Sequence, residues 1–196
     1  MKTLPIFISI LFLTSMTSKE TWKLKKNENN IKIYTKDLDN SKIKAYKATT
    51  TLNHSITKIK TLLMDPDKFT KWVDRNSYTK SFEPGENYVF YHSIFTAPFP
   101  VQDRDVVIKA EYKKTENGAI IEHTSAYDKK PVLENTIRVK DTYGKWELIK
   151  VSDNQTKIIY LGYSDPSGSI PAWLINSFLI DGPFNSISNL NTILNK

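Results

Sequence analysis

Among the residues of this sequence, Arg104 gives the most specific indication of a chemical role. In the segment that it opens, Arg104 shares one strand face with Val106 and Ile108, while Lys109 and Glu111 lie mostly on the other face. This alternation predicts that the guanidinium points into the interior of a sheet. An unpaired charge is very costly there, so Arg104 needs a partner.

Three kinds of partner for Arg104 remain open from the sequence. A carboxylate could come from Asp103, Asp105 or Glu122. A ligand could instead supply a phosphate or carboxylate head group. In the third interpretation, the arginine only stabilises the fold and is satisfied by loop carbonyls or a local acid.

The histidines and tyrosines are the remaining groups that could do chemistry. His92 and His123 could orient a ligand inside a cavity, and only these two with Tyr127 and Tyr160 could serve acid–base catalysis. With His54 the histidines lie on separate elements, without metal-ligand spacing. The chain has no cysteine, no H-E-x-x-H motif and no nucleotide-binding loop. We therefore expect no catalytic residue, no metal and no cofactor.

Aromatic residues make up 12% of the chain, and large rigid side chains of this kind suit the wall of an apolar cavity. The alternative is that they only fill a packed core, and the sequence does not separate the two. The candidates for ligand contact are Phe90, Trp72, Trp146, Tyr160, Trp173 and Phe178.

The pattern of elements predicts a single α+β domain over residues 19–196. Segments 31–35 and 43–52 suggest a hairpin, and a helix capped by Asn53 or Ser55 follows and ends at Pro66. An antiparallel meander is then predicted, with strands at 77–82, 87–95, 105–113, 119–127, 137 or 142–151, and 157–164.

The last segment predicts a long helix that covers the dry face of this sheet. Pro171 suits its first turn, and an apolar stripe runs from Trp173 to Leu194. Residues 181–183 (DGP) interrupt the stripe, which predicts a kink or a break there. The expected architecture is a curved antiparallel sheet wrapped around this helix.

Residues 1–18 have the order of regions found in a secretory signal peptide. One lysine precedes an apolar stretch at 4–13 and a polar end at 14–18. The stretch is about half of the length needed to span a bilayer, so we expect export and cleavage. Export without cysteines suits a bacterial periplasm or exterior.

The net charge of +7 comes mainly from scattered lysines. The basic clusters at 25–26 and 129–130 are too short for a nucleic-acid surface, so no nucleic-acid partner is expected. A mildly basic surface would favour transient contact with anionic membranes. The alternative is that the lysines only keep the protein soluble, which would give the same net charge. We expect a monomer.

Four segments resemble the START (steroidogenic-acute-regulatory-related lipid transfer) family, in order, over residues 20–196. Segment 31–35 (IKIYT) is similar to the opening I-x-V-Y-T strand of the family, and 71–73 (KWV) stands where the family has a tryptophan. Segment 98–107 (PFPVQDRDVV) resembles P-[WF]-P-x-x-[DN]-R-D-[FV]-V. Segment 165–174 (DPSGSIPAWL) resembles D-P-x-G-x-[IL]-P-x-W-L. The last two are the more specific.

The resemblance implies a helix-grip fold with an internal tunnel that holds one lipid or sterol-like molecule, without catalysis. The turn at 97–100 is expected at the tunnel mouth, the alternative being that its prolines only bend the end of a strand. A cyclase- or aromatase-like enzyme of the same superfamily, acting on a bulky apolar substrate, is the alternative, and a domain that docks a partner through the sheet rim is a third. In many family members an acidic residue on the preceding strand pairs with the arginine, but 87–95 contains none.

Overall fold

The computed structural model describes residues 21–39 and 44–196, and at 172, 173 and 176 the backbone alone. The predicted signal segment, residues 1–18, lies outside this part of the chain. The elements are β1 (Lys23–Glu28), β2 (Ile31–Asp37), β3 (Lys44–Leu52), α1 (Ile56–Leu63), a 3₁₀ helix (Pro66–Lys71), β4 (Asn76–Phe82), β5 (Tyr88–Phe95), β6 (Asp103–Thr115), β7 (Gly118–Ser125), β8 (Thr136–Arg138), β9 (Thr142–Ser152), β10 (Gln155–Ser164) and α2 (Ala172–Leu194).

The strands form one open sheet in the order β1-β2-β3-β10-β9-β7-β6-β5-β4. All neighbours in this order are antiparallel, as predicted, and β8 adds a short parallel pairing to β6. The predicted α+β class with a large antiparallel sheet is confirmed. Strand β1 was not predicted, because this edge strand is mostly exposed and its residues (KLKKNE) show no apolar face.

The sequence left two candidates for the N-cap of α1, Asn53 and Ser55, and the structure identifies Ser55. Its hydroxyl accepts a hydrogen bond from the Lys58 amide at 3.3 Å. Ile59 and Leu63, four residues apart, are fully buried and fix the helix on the concave side of the sheet.

Helix α2 runs without a break from Ala172 to Leu194, so the predicted break at the DGP segment is wrong, while the alternative of a kink there stays a prediction. Pro183 removes one backbone donor, but the turns that follow it are held by a buried face, which includes Phe184, Ile187 and Leu190. The packing of this face compensates for the lost hydrogen bond. Among the described residues, neither helix combines the length and apolarity that crossing a bilayer requires.

The core is continuous from the sheet to both helices. Trp72 and Trp146 meet edge to face in it, with ring centroids 6.2 Å apart. Both rings are almost completely buried, at 3% and 2% exposure. This packed region lies beneath α1 and the C-terminal half of α2.

A buried ion pair fixes the outer face of the sheet. Arg138 Nε and Nη2 donate to the two carboxylate oxygens of Asp105 at 2.7 and 2.8 Å, and His92 Nε2 lies 2.8 Å from Oδ2. Burial alone would raise the pKa of Asp105, but the hydrogen bonds from Arg138 and His92 outweigh burial and hold it below its ordinary value. Arg138 also donates to three main-chain carbonyls, those of Tyr127, Lys130 and Pro131. The network holds the 126–138 connection against the sheet.

Replacing Arg138 by Leu should destabilise the fold strongly, because the Asp105 carboxylate would stay buried without its main partner. We expect a loss of about 3–5 kcal/mol in the free energy of unfolding, measured with urea. The control is Lys150→Ala, which removes a pair with Asp153 whose side chains are 57% and 91% exposed, and should change stability by less than about 1 kcal/mol. Similar losses in the two variants would contradict this assignment.

Candidate functional site

A cavity of about 490 Å³ lies between the concave face of the sheet and the N-terminal half of α2. Strands β3, β5, β6, β7 and β9 supply its walls, and the loop 164–170 closes one side. Its apolar lining is Phe95, Val106, Ile108, Val139, Ile170, Ile175, Phe178 and Leu179. The packed core ends where this cavity begins, so the fold itself leaves space for an apolar molecule.

Arg104 faces this cavity, as the strand alternation predicts, and main-chain carbonyls satisfy it. Its Nε donates to the Pro166 carbonyl and its Nη2 to the Ser167 carbonyl, both at 3.0 Å, and Nη1 donates to the Gln102 carbonyl. Burial lowers the pKa of Arg104, while the nearby charge of Asp103 acts in the opposite direction. The loop that leads into α2 therefore wraps around the guanidinium.

The three acids considered as partners of Arg104 are engaged elsewhere. Asp105 lies on the opposite strand face with Arg138, and Asp103 accepts from the Ala97 amide at 2.9 Å. Glu122 accepts from the Tyr143 hydroxyl at 2.7 Å on the exposed surface. Among the described residues, no carboxylate forms an ion pair with Arg104, so the interpretation with loop carbonyls is the one that the contacts support.

A cluster of neutral polar groups interrupts the apolar wall. The Tyr91 hydroxyl lies 3.3 Å from His123 Nδ1, and both residues line the cavity with Tyr46. Burial lowers the pKa of His123 to about 4, which leaves the imidazole neutral at physiological pH. Burial also raises the pKa of Tyr46 and Tyr91, and the neighbouring hydroxyl of Tyr160 adds to this effect.

Two glycines make room for this cluster. A Cβ on Gly162 would lie 2.5 Å from the Tyr46 hydroxyl oxygen. The Tyr46 ring therefore lies where it does because residue 162 has no side chain. Gly144 belongs to the lining, and a Cβ there would lie 3.5 Å from the His123 Cβ, an ordinary contact distance. The missing side chain of Gly144 thus contributes to the open volume beside His123.

The predicted site residues divide into four groups. Arg104, His123 and Phe178 line the cavity. Trp72 and Trp146 belong to the packed core, and Tyr160 stacks on Trp146 with ring centroids 3.9 Å apart. The side chain of Trp173 lies outside the described part of the chain, so its predicted role stays a prediction.

Phe90 and His92 require a correction, because the structure places neither in the cavity. Tyr91 lines the cavity, and strand alternation directs its two neighbours to the outer face. There, His92 contacts Asp105, and Phe90 stacks with Phe82 at 5.8 Å. The sequence did not separate the two faces of β5, because apolar and aromatic residues occupy both of them.

The analysis of the sequence did not select Tyr46, Tyr91 or Gly144 for the site. Alternation along β3 and β5 could have pointed to the two tyrosines, but only the pairing of β9 with β7 brings Gly144 opposite His123. Within residues 21–39 and 44–196, no three His, Asp or Glu side chains come together in a way that could hold a metal ion.

Comparison with known proteins identifies relatives over most of the chain. The family model described as START domain matches residues 9–196. An uncharacterised protein of Pseudomonas aeruginosa is 33% identical over 178 residues, which cover 90% of this chain and 88% of the relative.

Solved structures share the fold at lower identity. A STAR-related lipid transfer protein from Xanthomonas axonopodis is 24% identical, with a TM-score of 0.83 over 89% of this chain and 99% of that chain. Human STARD10 is 18% identical, with a TM-score of 0.77 over 89% and 73%. The Zhui aromatase/cyclase from Streptomyces sp. R1128 is 12% identical, with a TM-score of 0.54 over 78% and 92%.

The neutral His123 makes stability depend on pH. Its pKa is about 4 in the fold and regains the ordinary value of 6.5 on unfolding, so between these values the unfolded chain binds a proton that the folded chain does not. Stability should therefore fall as the pH drops through this window, by on the order of 2 kcal/mol between about pH 7 and pH 5. Urea unfolding at both pH values measures the loss.

The His123→Phe variant should lose most of this pH dependence, since a phenyl ring has no proton to bind. His54→Phe removes a histidine outside the cavity and is the matched control. An undiminished pH dependence in His123→Phe would show that other groups are responsible.

Proposed function

The chain belongs to the START domain family, and from this premise we propose that it binds one hydrophobic ligand in the cavity beneath α2 and transfers it without covalent chemistry. The observation that carries the proposal is the cavity itself, with about 490 Å³ of space and mostly apolar walls. This volume lies in the range of about 300–1,000 Å³ that is usual for small-molecule sites.

The apolar lining supports ligand binding energetically. Each methylene group moved from water into such a cavity contributes about 0.8 kcal/mol, so an acyl chain or a compact ring system supplies enough for stable binding. The side chains Ile175, Phe178 and Leu179 place α2 directly over this space. A ligand held there is shielded from water, as a carrier requires.

The electrostatics of the lining favour binding over acid–base catalysis. A general acid or base works best when its pKa is near the operating pH. Burial moves the pKa of His123 down to about 4 and those of Tyr46 and Tyr91 up, away from neutrality in both cases. The alternative, a cyclase-like enzyme, would require a substrate that one of these shifted groups could activate.

Membrane contact during transfer is part of the proposal. Phe99 stands at the tip of the β5–β6 connection and is 98% exposed. The two ends of that connection reach the cavity wall through Phe95 and Arg104. An exposed aromatic side chain beside the cavity mouth suits insertion between lipid head groups.

We further propose that the protein acts outside the cytoplasm, since residues 1–18 have the features of a secretory signal. The intact mass of the full-length gene product, recovered from the cell envelope, tests this proposal. A product that keeps residues 1–18 and remains in the cytoplasm would contradict export.

Protein purified from its native host should carry one lipid molecule per chain, because the cavity would otherwise expose its apolar wall to water. Native mass spectrometry and analysis of an organic extract identify that lipid. The Gly144→Leu variant should lower occupancy at least about fivefold, since its side chain extends into the cavity from a position where a Cβ is accepted.

The matched control for this variant is Thr124→Leu, which adds the same side chain on the exposed face of the neighbouring strand. It should keep full occupancy. A wild-type protein that stays empty and binds no fluorescent lipid would contradict the carrier proposal. Chemical conversion of the bound molecule would favour the cyclase-like enzyme.

Replacing Phe99 by Ser should slow lipid transfer between vesicles about fivefold or more, because the apolar contact with the membrane is lost. Affinity for a ligand in solution should stay unchanged. The control is Val151→Ser, which removes an exposed apolar side chain of 54% exposure at the far end of β9. Equal transfer rates for wild type and Phe99→Ser would contradict a docking role for Phe99.

A further inference from the structure

We infer that the cavity binds an anionic amphiphile, whose carboxylate or phosphate head group pairs with Arg104 while its apolar tail extends along the sheet. The inference rests on the proposed binding function and narrows it to a class of ligand. Three observations support it: the incomplete bonding of a buried arginine, the charges of the cavity lining, and the order of side chains along β6.

Arg138 shows how this protein satisfies a buried arginine completely. A guanidinium has five N–H donors and one positive charge. Arg138 donates five hydrogen bonds, two to the Asp105 carboxylate and three to main-chain carbonyls. Each donor has an acceptor and the carboxylate neutralises the charge, so nothing at Arg138 is left for a ligand to supply.

Arg104 is buried to the same degree, at 5% exposure against 7% for Arg138, but its bonding is incomplete. Its three hydrogen bonds go to the carbonyls of Gln102, Pro166 and Ser167. One N–H on Nη1 and one on Nη2 thus have no acceptor within the part of the chain that the structure describes. The carbonyls orient the guanidinium but carry no charge that neutralises it. Burial accordingly lowers the pKa of Arg104, as expected for a cation that lacks full compensation.

The acids nearest to Arg104 do not take the place of this missing carboxylate. The charge of Asp103 acts on Arg104, but its carboxylate accepts from the Ala97 amide. Asp165 lines the cavity and accepts from the Ser167 amide at 2.9 Å. Since neither acid forms an ion pair with the guanidinium, the position of a bound anion at its two remaining N–H groups is open.

The lining as a whole carries more positive than negative charge. Its charged side chains are two cations, Lys44 and Arg104, and one acid, Asp165. Lys44 also pairs with Asp37, in a partly exposed contact of the kind that contributes little. His123 adds no charge near neutral pH, because burial lowers its pKa to about 4. A cationic head group would increase the excess of positive charge, whereas an anionic one removes it.

Polar residues of the lining lie at one end of the cavity, on the side of Arg104. Thr142 pairs with Ser164 where β9 begins and β10 ends, and the chain continues to Pro166, whose carbonyl binds the guanidinium. Gly168 also belongs to the lining, and a Cβ there would lie 3.9 Å from Arg104 Nη2. The absence of a side chain at Gly168 leaves the space beside Nη2 uncovered.

Strand β6 supplies the path for an apolar tail. Val106 and Ile108 follow Arg104 on the same strand face, and both line the cavity. At about 3.3 Å per residue, the row from Arg104 to Ile108 extends over about 13 Å. Phe178 and Leu179 of α2 line the cavity as well. A charged group at one end of an apolar row is the arrangement that an amphiphile requires.

The test compares four ligands that share a dodecyl tail and differ in the charge of the head group: laurate, methyl laurate, dodecyl phosphate and dodecanol. Each displaces an uncharged naphthylamine dye from the purified full-length protein, below its micellar concentration. Laurate or dodecyl phosphate should bind at least about tenfold more tightly than its neutral counterpart, because hydrogen bonds to a charged group are the stronger ones. The tighter of the two anions identifies the head group as a carboxylate or a phosphate.

Arg104→Gln should lower the affinity for the anions about tenfold and leave that for dodecanol unchanged. The matched control is Arg75→Gln, which removes an arginine that donates to Ser177 of α2 but lies outside the cavity lining. This control should keep the preference for the anions. Circular dichroism and urea unfolding establish that each variant is folded.

A second measurement does not depend on a variant. In a crystal structure of the wild-type complex with laurate, the carboxylate oxygens should lie about 2.7–2.9 Å from Nη1 and Nη2 of Arg104. The tail should follow Val106 and Ile108. A carboxylate that binds elsewhere would overturn the assignment to Arg104, even where Arg104→Gln does not fold.

The outcomes separate the class of ligand from the binding function itself. Neutral ligands that bind the wild-type protein as tightly as the anions, or an anion preference that survives in folded Arg104→Gln, would overturn the inference and leave the carrier function intact. Failure of the dye and of every ligand to bind would instead remove the carrier function.

Discussion

The structure depends on two adjacent residues of β6 that point to opposite faces of the sheet. Arg104 faces inward and binds the carbonyls of Pro166 and Ser167, in the loop that leads into α2. Asp105 faces outward and binds Arg138, which holds the outer connection. Both side chains are buried, at 5% and 0% exposure, so neither could lose its partners without a large cost in stability. This dipeptide connects β6 to the loop before α2 on the inner face and to the 126–138 connection on the outer face.

A cavity can persist in this fold because its two ends are stabilised differently. At one end, α1 and the C-terminal half of α2 pack against Ile33, Trp72 and Trp146 in the buried core. At the other end, the absence of a side chain at Gly144 leaves open volume. Phe178 and Leu179 of the helix above line the cavity there. Well-packed protein interiors contain few voids larger than a water molecule, and an open volume of this size forfeits dispersion contacts. The packed end supplies the stability that the open end lacks.

The architecture could be predicted from the sequence because it depends on local patterns. Alternation, turn residues and the long apolar stripe predicted the strands, their antiparallel order and the final helix. The same alternation correctly predicted that Arg104 faces inward. The site was harder, since its composition depends on which strands lie side by side. His123 meets Gly144 only because β7 pairs with β9, and His92 lies outside because β5 is apolar on both faces. No pattern in the sequence shows that Arg104 bonds to carbonyls instead of an acid, because main-chain groups are the same at every position.

The two halves of α2 are held by different contacts. Beyond Pro183, which cannot donate a backbone hydrogen bond, the helix buries Ile187, Leu190 and Leu194 in the core. Before it, the helix faces the cavity and buries Leu174 and Leu179 outside the main core cluster. Polar contacts at its sides add to this packing, with Arg75 donating to Ser177 at 3.0 Å and Lys26 pairing with Asp181 at 3.3 Å. Partly exposed polar contacts of this kind contribute about 1 kcal/mol each, less than a fully buried leucine or isoleucine. The C-terminal half thus belongs to the packed core and the N-terminal half to the wall of the cavity, and the proline lies where the two meet.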